Sequence, residues 1–246
     1  MIHTFRTELR KLLTIRSTYI ISLLSIALVI FMSFYVTGVK GESGAFDTYR
    51  IETLLYNIAS LLGVFGAIVA VLLIGHEYRY NTIMYTLTSS NSRTKVFVAK
   101  LAVALLYAGS LVTLGSLIGI VAQYAGASVG GYTLTVQTID WGSLLWRMAF
   151  YTGSFALLGL ALGFLFRNVV PAMVSIFIVP STVEPLLGLL LKENSKYLPF
   201  GSLTQVISAP GNDTALSPGH AAAVAALYVV GAMLVAWYLF LQRDAN

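Results

Sequence analysis

Six long apolar stretches, near residues 18–39, 54–75, 96–124, 142–166, 169–191 and 219–241, occupy most of the chain. A hydrocarbon core about 30 Å thick takes about 20 apolar residues of helix to cross. Every stretch meets that length, and in lipid only a helix or a closed barrel satisfies its own backbone polar groups. The sequence therefore predicts an all-α integral membrane protein with six transmembrane helices. Charged residues make up 10% of the 246, against roughly 25% in an average soluble domain, and no water-soluble fold hides so much apolar surface. The first stretch exceeds a signal-peptide core of roughly 7–15 residues and ends without a small-x-small cleavage site, so it is expected to remain as a span. The connections leave no room for a further soluble domain of about 50 residues, and a single transmembrane domain over 1–246 is expected.

The formal net charge is +5, but the cations are distributed by connection and form no nucleic-acid-binding stripe. Arg6, Arg10, Lys11 and Arg16 precede the first span. Arg79, Arg93, Lys95 and Lys100 surround the second connection, Arg167 lies in the fourth, and Arg243 follows the last span. The other connections hold Lys40, Arg50, Lys192 and Lys196, partly offset by Glu42, Asp47, Glu52 and Glu193. The positive-inside bias then places both termini in the cytoplasm.

Residues 1–17 read as an amphipathic helix. Thr4 is its expected cap and Glu8 suits its positive end. Phe5, Leu9, Leu12 and Leu13 recur at helical spacing, while Arg6, Arg10 and Lys11 take other faces. Such a helix is expected along the inner interface, apolar side in lipid and cations near anionic headgroups.

The polar insert His76–Lys100 separates the second and third spans. Glu77, Tyr78 and Arg79 follow the second span, Asn81 to Thr88 read as a short helix, and Ser89 to Ser92 interrupt it. Ser and Asn side chains compete with helical hydrogen bonds and make good caps, so the third span is expected to start from Ser92 or Thr94.

These fragments resemble the permease subunits of type-2 ABC exporters. The resemblance is carried by Glu8-Leu9-Arg10-Lys11-Leu12 with Thr14-Ile15-Arg16-Ser17, by Glu77-Tyr78-Arg79 with Thr82-Ile83 and Thr86-Leu87, and by Ser92-Arg93 leading to Lys100-Leu101. Pro180, Glu184-Pro185-Leu186-Leu187 and Tyr197-Leu198-Pro199 extend it. Where that family often has Gly before the Thr of the second motif, this chain has Asn81. The resemblance implies a cytoplasmic coupling helix that docks on an ATPase subunit, with Glu77, Arg79, Thr82, Met84, Tyr85, Leu87, Ser90 and Arg93 as its docking residues. It further implies a plasma-membrane exporter that dimerises with itself or a paralogue, while separate ATPase subunits bind the ATP and Mg. The chain itself has no G-x-x-x-x-G-K-[ST] loop. Glu77 and Arg79 are expected to pair with a partner's charges or with neighbours.

Ionisable groups at membrane depth cost about 2.5–3.5 kcal/mol each on insertion scales, so Arg147 and Glu184 need partners. Counted at 1.5 Å per residue, they lie at similar depths and are expected to pair, as a static pin or as part of an outer gate. Pro180 and Pro185 flank Glu184 and each removes a helical hydrogen bond, so a broken or re-entrant outer segment is expected, continuing into a short outer helix with Tyr197, Leu198, Phe200, Leu203 and Val206. Gly115 with Gly119, and Gly159 with Gly163, offer close-packing faces. Trp141, Trp146, Tyr151 and Trp237 fit interfacial belts.

No enzyme reading survives. His76-Glu77 lacks the second His of a zinc protease motif, since Tyr80 stands there, and the three histidines are scattered. No catalytic, metal or cofactor-binding residue is expected in this chain. The rival is an ion-coupled secondary transporter or channel-like protein, for which Glu184 is the lone candidate carboxylate.

Overall fold

The computed structural model describes residues 1–39, 48–90, 92–131, 139–208 and 216–243, apart from the side chains of residues 48–50. Lys40, Glu42, Asp47 and Asn91, used above, lie outside the described residues. Among the described residues all regular structure is helical. α1 (Ile2–Thr14) is followed by α2 (Arg16–Gly38), α3 (Thr48–Arg79), α4 (Ile83–Ser90), α5 (Arg93–Gly130) and α6 (Trp141–Phe166). α7 (Val169–Ile178), α8 (Glu184–Leu191), α9 (Pro199–Val206) and α10 (Pro218–Gln242) complete the chain.

Six of these units are long and apolar enough to cross a membrane: α2, α3, α5, α6, α10 and the run Val169–Tyr197 that contains α7 and α8. α3 and α6 form the centre, with two-thirds of each apolar window buried, whereas α2 and the α7–α8 run are the least enclosed at 22% and 11%. α5 bridges α2 to α3, and α10 packs on α6 and α9. Both termini lie at one end of the bundle, the near end, because Arg93 at the start of α5 bonds to the last carbonyls of α10.

Local chemistry sets the boundaries. Ile15 is extended between α1 and α2. The Ser92 side chain accepts from the Lys95 amide and starts α5, and Gly131 ends it at φ 75°, a left-handed conformation that Gly adopts without penalty. Asp140 and Asn168 cap α6 and α7 in the same manner as Ser92. Thr4 is not a cap. It lies inside α1, whose N-cap position is Met1.

Small residues allow the close approach. A Cβ on Gly159 would stand 2.5 Å from the Ala67 carbonyl, so α6 and α3 touch backbone to backbone there. Gly163 meets Ile74, while Gly115 and Gly119 meet Leu62 and Ile58 of α3. All four therefore face neighbours within the chain. α2 buries Thr18, Ser25, Val29, Ser33 and Thr37, and so meets α5 through a seam of small and hydroxylated residues. Near the termini, Phe164 links Phe97 and Phe240 at ring-centroid distances of 4.9 and 4.8 Å, joining α5, α6 and α10.

The α7–α8 run does not break at its prolines. Val179–Val183 form one π-helical turn, a widened turn that contains Pro180, and Pro185 falls in the first turn of α8. Beyond α8 a 3₁₀ segment, Lys192–Tyr197, turns the chain back. α9 returns to the level of Glu184, whose carboxylate accepts from its first amides. Trp141, Trp146 and Trp237 are exposed as an interfacial belt requires, but Tyr151 is buried in the core, so it does not belong to the belt.

Candidate functional site

At the near end, four charged side chains from three helices meet in a closed network. Lys100 of α5 is fully buried and donates to Glu8 of α1 (2.6 Å) and to the Leu73 carbonyl of α3 (3.0 Å), with Glu77 of α3 at 2.9 Å. Lys11 of α1 donates to Glu8 (2.7 Å), Glu77 (2.6 Å) and the hydroxyl of Thr86 in α4 (2.9 Å). Each ammonium thus has three acceptors for its three protons. Two carboxylates face two ammoniums, so the network carries no net charge, the condition under which a buried cluster is tolerable. Burial alone would lower the pKa of Lys11, but the Glu77 and Glu8 carboxylates outweigh it and hold the value above the usual lysine range. Lys11 therefore stays charged throughout the physiological range.

This geometry corrects the expected lipid-facing side of α1 and selects, for Glu77, pairing with neighbours in the chain. The inward face of α1, formed by Phe5, Glu8, Leu9 and Leu12, packs on protein, not lipid, while Leu13 points away at 53% exposure. Glu77 is 5% exposed and closed off by two lysines, so it has no access to a partner protein.

α4 sits directly beneath the network. The chain reaches it from α3 through a Schellman turn: the Thr82 amide bonds the Glu77 carbonyl (2.9 Å), the Asn81 amide bonds that of Tyr78 (3.3 Å), and Asn81 has φ 52°. Left-handed backbone favours Gly first and Asn next, which is why Asn81 stands where the resembled family often has Gly. Ile83 is buried and Thr86, Leu87 and Ser90 are half-buried, an i, i+3, i+4, i+7 stripe turned to the bundle. Opposite it, Met84 and Tyr85 are 50% and 78% exposed, flanked by exposed Arg79, Thr82 and Thr88.

The other expected docking residues are engaged internally. Arg93 donates to the carbonyls of Phe240, Leu241 and Arg243 (3.0, 3.0 and 2.6 Å), closing the carbonyl end of α10 where a cation is favoured. Arg243 in turn bonds the Leu165 carbonyl near the end of α6. The Ser90 hydroxyl bonds within its own turn and to Ser92.

At the opposite end, Arg147 and Glu184 do not pair. Glu184 accepts from the amides of Phe200 (2.8 Å) and Gly201 (2.7 Å) at the start of α9. Arg147 donates to the carbonyls of Val206 (2.5 Å) and Ser208 beyond its end, and its guanidinium lies 4.6 Å from the Tyr56 ring. The carboxylate meets the positive end of α9 and the guanidinium the negative end. α9 stands between the two charges. A cavity of about 810 Å³ opens beside this clamp, lined by Pro180, Glu184, Pro185, Lys192, Lys196 and Gln205 among others.

The residues missed as a site from sequence are Glu8, Lys11, Thr86 and Lys100. The signal was available: Lys100 falls on the buried stripe Val96, Lys100, Val103, Tyr107, and Glu8 on the stripe Phe5, Glu8, Leu12. A charge on an apolar stripe calls for a buried countercharge.

A search of curated proteins gives no match. The family model described as ABC-2 family transporter protein matches residues 4–183, from α1 through the π-helical turn. With six membrane-crossing helices and most of the chain covered, the protein belongs to the ABC-2 family of transporter proteins, as a membrane-spanning permease of an ABC transporter.

Proposed function

We propose that this chain is one half of a dimeric, ATP-driven exporter in the plasma membrane, coupled to separate ATPase subunits through residues 77–93. Both termini and α4 face the cytoplasm in this reading. The observation that carries it is the two-sided character of α4. Its inner stripe is anchored by Ile83 while Met84 and Tyr85, large apolar side chains, stand out at the end that holds the termini. An exposed aromatic–methionine pair with a polar rim is the composition of a protein-binding anchor. The least enclosed spans, α2 and the α7–α8 run, offer apolar surface to a second copy or a paralogue and to lipid. The partner binds ATP and Mg, and closure of the ATPase pair drives α4 to alternate the exposure of a path between the two permeases.

The ion-coupled reading is disfavoured by Glu184. Both of its oxygens are committed to α9 amides, which leaves no free carboxylate there to exchange a coupling ion.

The test is co-purification. The tagged chain, extracted in mild detergent, is expected to retain an ABC-type ATPase. Replacing Met84 and Tyr85 by Ala is expected to weaken retention roughly tenfold or more, the effect of losing interface anchors worth about 1–2 kcal/mol or more each. Unchanged retention in that double variant, or no ATPase with the wild type, overturns the reading.

A further inference from the structure

We propose that Lys11 is a two-position latch: its ammonium fastens α4 to α1 through Thr86, and releases α4 by moving to the free oxygen of Glu77. The inference deepens the docking proposal, since its consequence for transport depends on α4 being the docked element. The latch itself is a property of the permease alone.

The two lysines of the network are not equivalent. Lys100 is fully buried, and its third bond is to a backbone carbonyl of α3, inside the bundle. It fixes α1 to the spans. Lys11 keeps 32% of its side chain exposed, and its third bond is to Thr86, the α4 member of the network. It is the ammonium that reaches α4.

The second observation is an unused acceptor. Glu77 Oε1 takes both lysines and, at 3.4 Å, the Thr86 hydroxyl, while its Oε2 is buried without a hydrogen-bond partner. The unpartnered oxygen of a carboxylate whose other oxygen already holds Lys11 is a ready acceptor for that ammonium. If α4 moves away with Thr86, Lys11 loses one acceptor and gains Glu77 Oε2, so three bonds remain in both positions. The charge count is the same before and after, and Lys100 holds Glu8 throughout. Such exchange makes release of α4 inexpensive while keeping α1 in place, the property required of a bistable element.

The chain contains no cysteine, so spin labels can be introduced without removing native thiols. Labels at Arg10→Cys on α1 and Thr88→Cys on α4, both exposed, report the latch in the full chain in nanodiscs. A second pair, Arg10→Cys with Lys95→Cys on α5, reports the α1–α5 contact. The wild type is expected to give one dominant α1–α4 distance. Thr86→Val, which removes the acceptor at nearly constant shape, is expected to raise a longer-distance population roughly tenfold, the loss of one charge-assisted bond, and Lys11→Met, which also leaves a buried carboxylate charge unpaired, is expected to raise it further. Thr86→Ser is expected to restore the wild-type distribution, and the α1–α5 pair is expected to stay unchanged in all variants.

The proposal is overturned if Thr86→Val and Lys11→Met keep the wild-type α1–α4 distance. It is equally overturned if the α1–α5 pair broadens to the same extent, because Lys11 is then a general pin of the fold. No ATPase is present in this measurement. A chain that captures no ATPase yet shows the Thr86→Val shift keeps the latch and loses the docking reading, and the converse result separates them the other way.

Discussion

At the residue scale the decisive group is Lys100. Its ammonium is enclosed and holds Glu8 and Glu77, both themselves buried. Removing one partner of a buried charge network leaves uncompensated charge and costs about 3–5 kcal/mol. Lys100→Met is therefore expected to lower the thermal unfolding midpoint of the detergent-solubilised chain sharply, and the paired change with Glu8→Gln to recover a substantial part, since one charge of each sign is then gone. Equal loss in the single and paired variants would count against the network as described. The four charges were visible as residues but not as a cluster, because Glu8 and Lys100 are 92 positions apart and Lys11 and Glu77 are 66. Periodicity gave their faces, since Lys100 and Glu8 fall on apolar stripes, yet only the packing of α1 on α5 decided which charge met which. Asn81 shows the opposite case. Its departure from the resembled family's Gly was legible in sequence, and its meaning, a left-handed turn residue, was supplied by φ 52°.

At the scale of elements, the far-end helix α9 depends on two charges from other helices. Its first amides use Glu184 and its closing carbonyls use Arg147. Hydrogen bonds to charged groups contribute about 1.5–3 kcal/mol, so Glu184→Gln is expected to raise amide hydrogen exchange at Phe200 and Gly201 by roughly tenfold or more. The amides of α3 and α6, which do not touch Glu184, are expected to keep their protection. Unaltered exchange at Phe200 and Gly201 would show that α9 is held by its buried Leu203 and Val206 alone. A short outer helix was legible from Phe200, Leu203 and Val206, which α9 buries, whereas Tyr197 and Leu198, expected in the same helix, precede it. Its role as the common partner of Arg147 and Glu184 was not, because backbone dipoles carry no residue letter. The prolines of the fifth span predicted a bend or a break, and the helical turns run on through them, with Pro180 in a π turn and Pro185 in the first turn of α8.

At the scale of the whole molecule, orientation follows from charge. The near end gathers Arg6, Arg10, Lys11, Arg16, Arg79, Arg93, Lys95, Lys100, Arg167 and Arg243, while the described far end has Arg50, Arg147, Lys192 and Lys196, and Arg147 is buried against α9. The network at the near end neutralises Lys11 and Lys100, but Arg6, Arg10, Arg16, Arg79 and Lys95 remain exposed, so the asymmetry persists after internal pairs are set aside. Only short loops near the span ends count in this bias, and these residues meet that condition. The near end is thus expected to face the cytoplasm, which is also the side on which an ATP-consuming partner finds its nucleotide. With no native cysteine, Thr88→Cys on α4 and Asn194→Cys in the 3₁₀ turn can be treated in intact cells with a membrane-impermeant maleimide. Asn194→Cys is expected to react at once and Thr88→Cys only after permeabilisation. The reverse pattern would place α4 outside, beyond the reach of any ATPase, and would leave its exposed Met84 and Tyr85 without the partner argued for here.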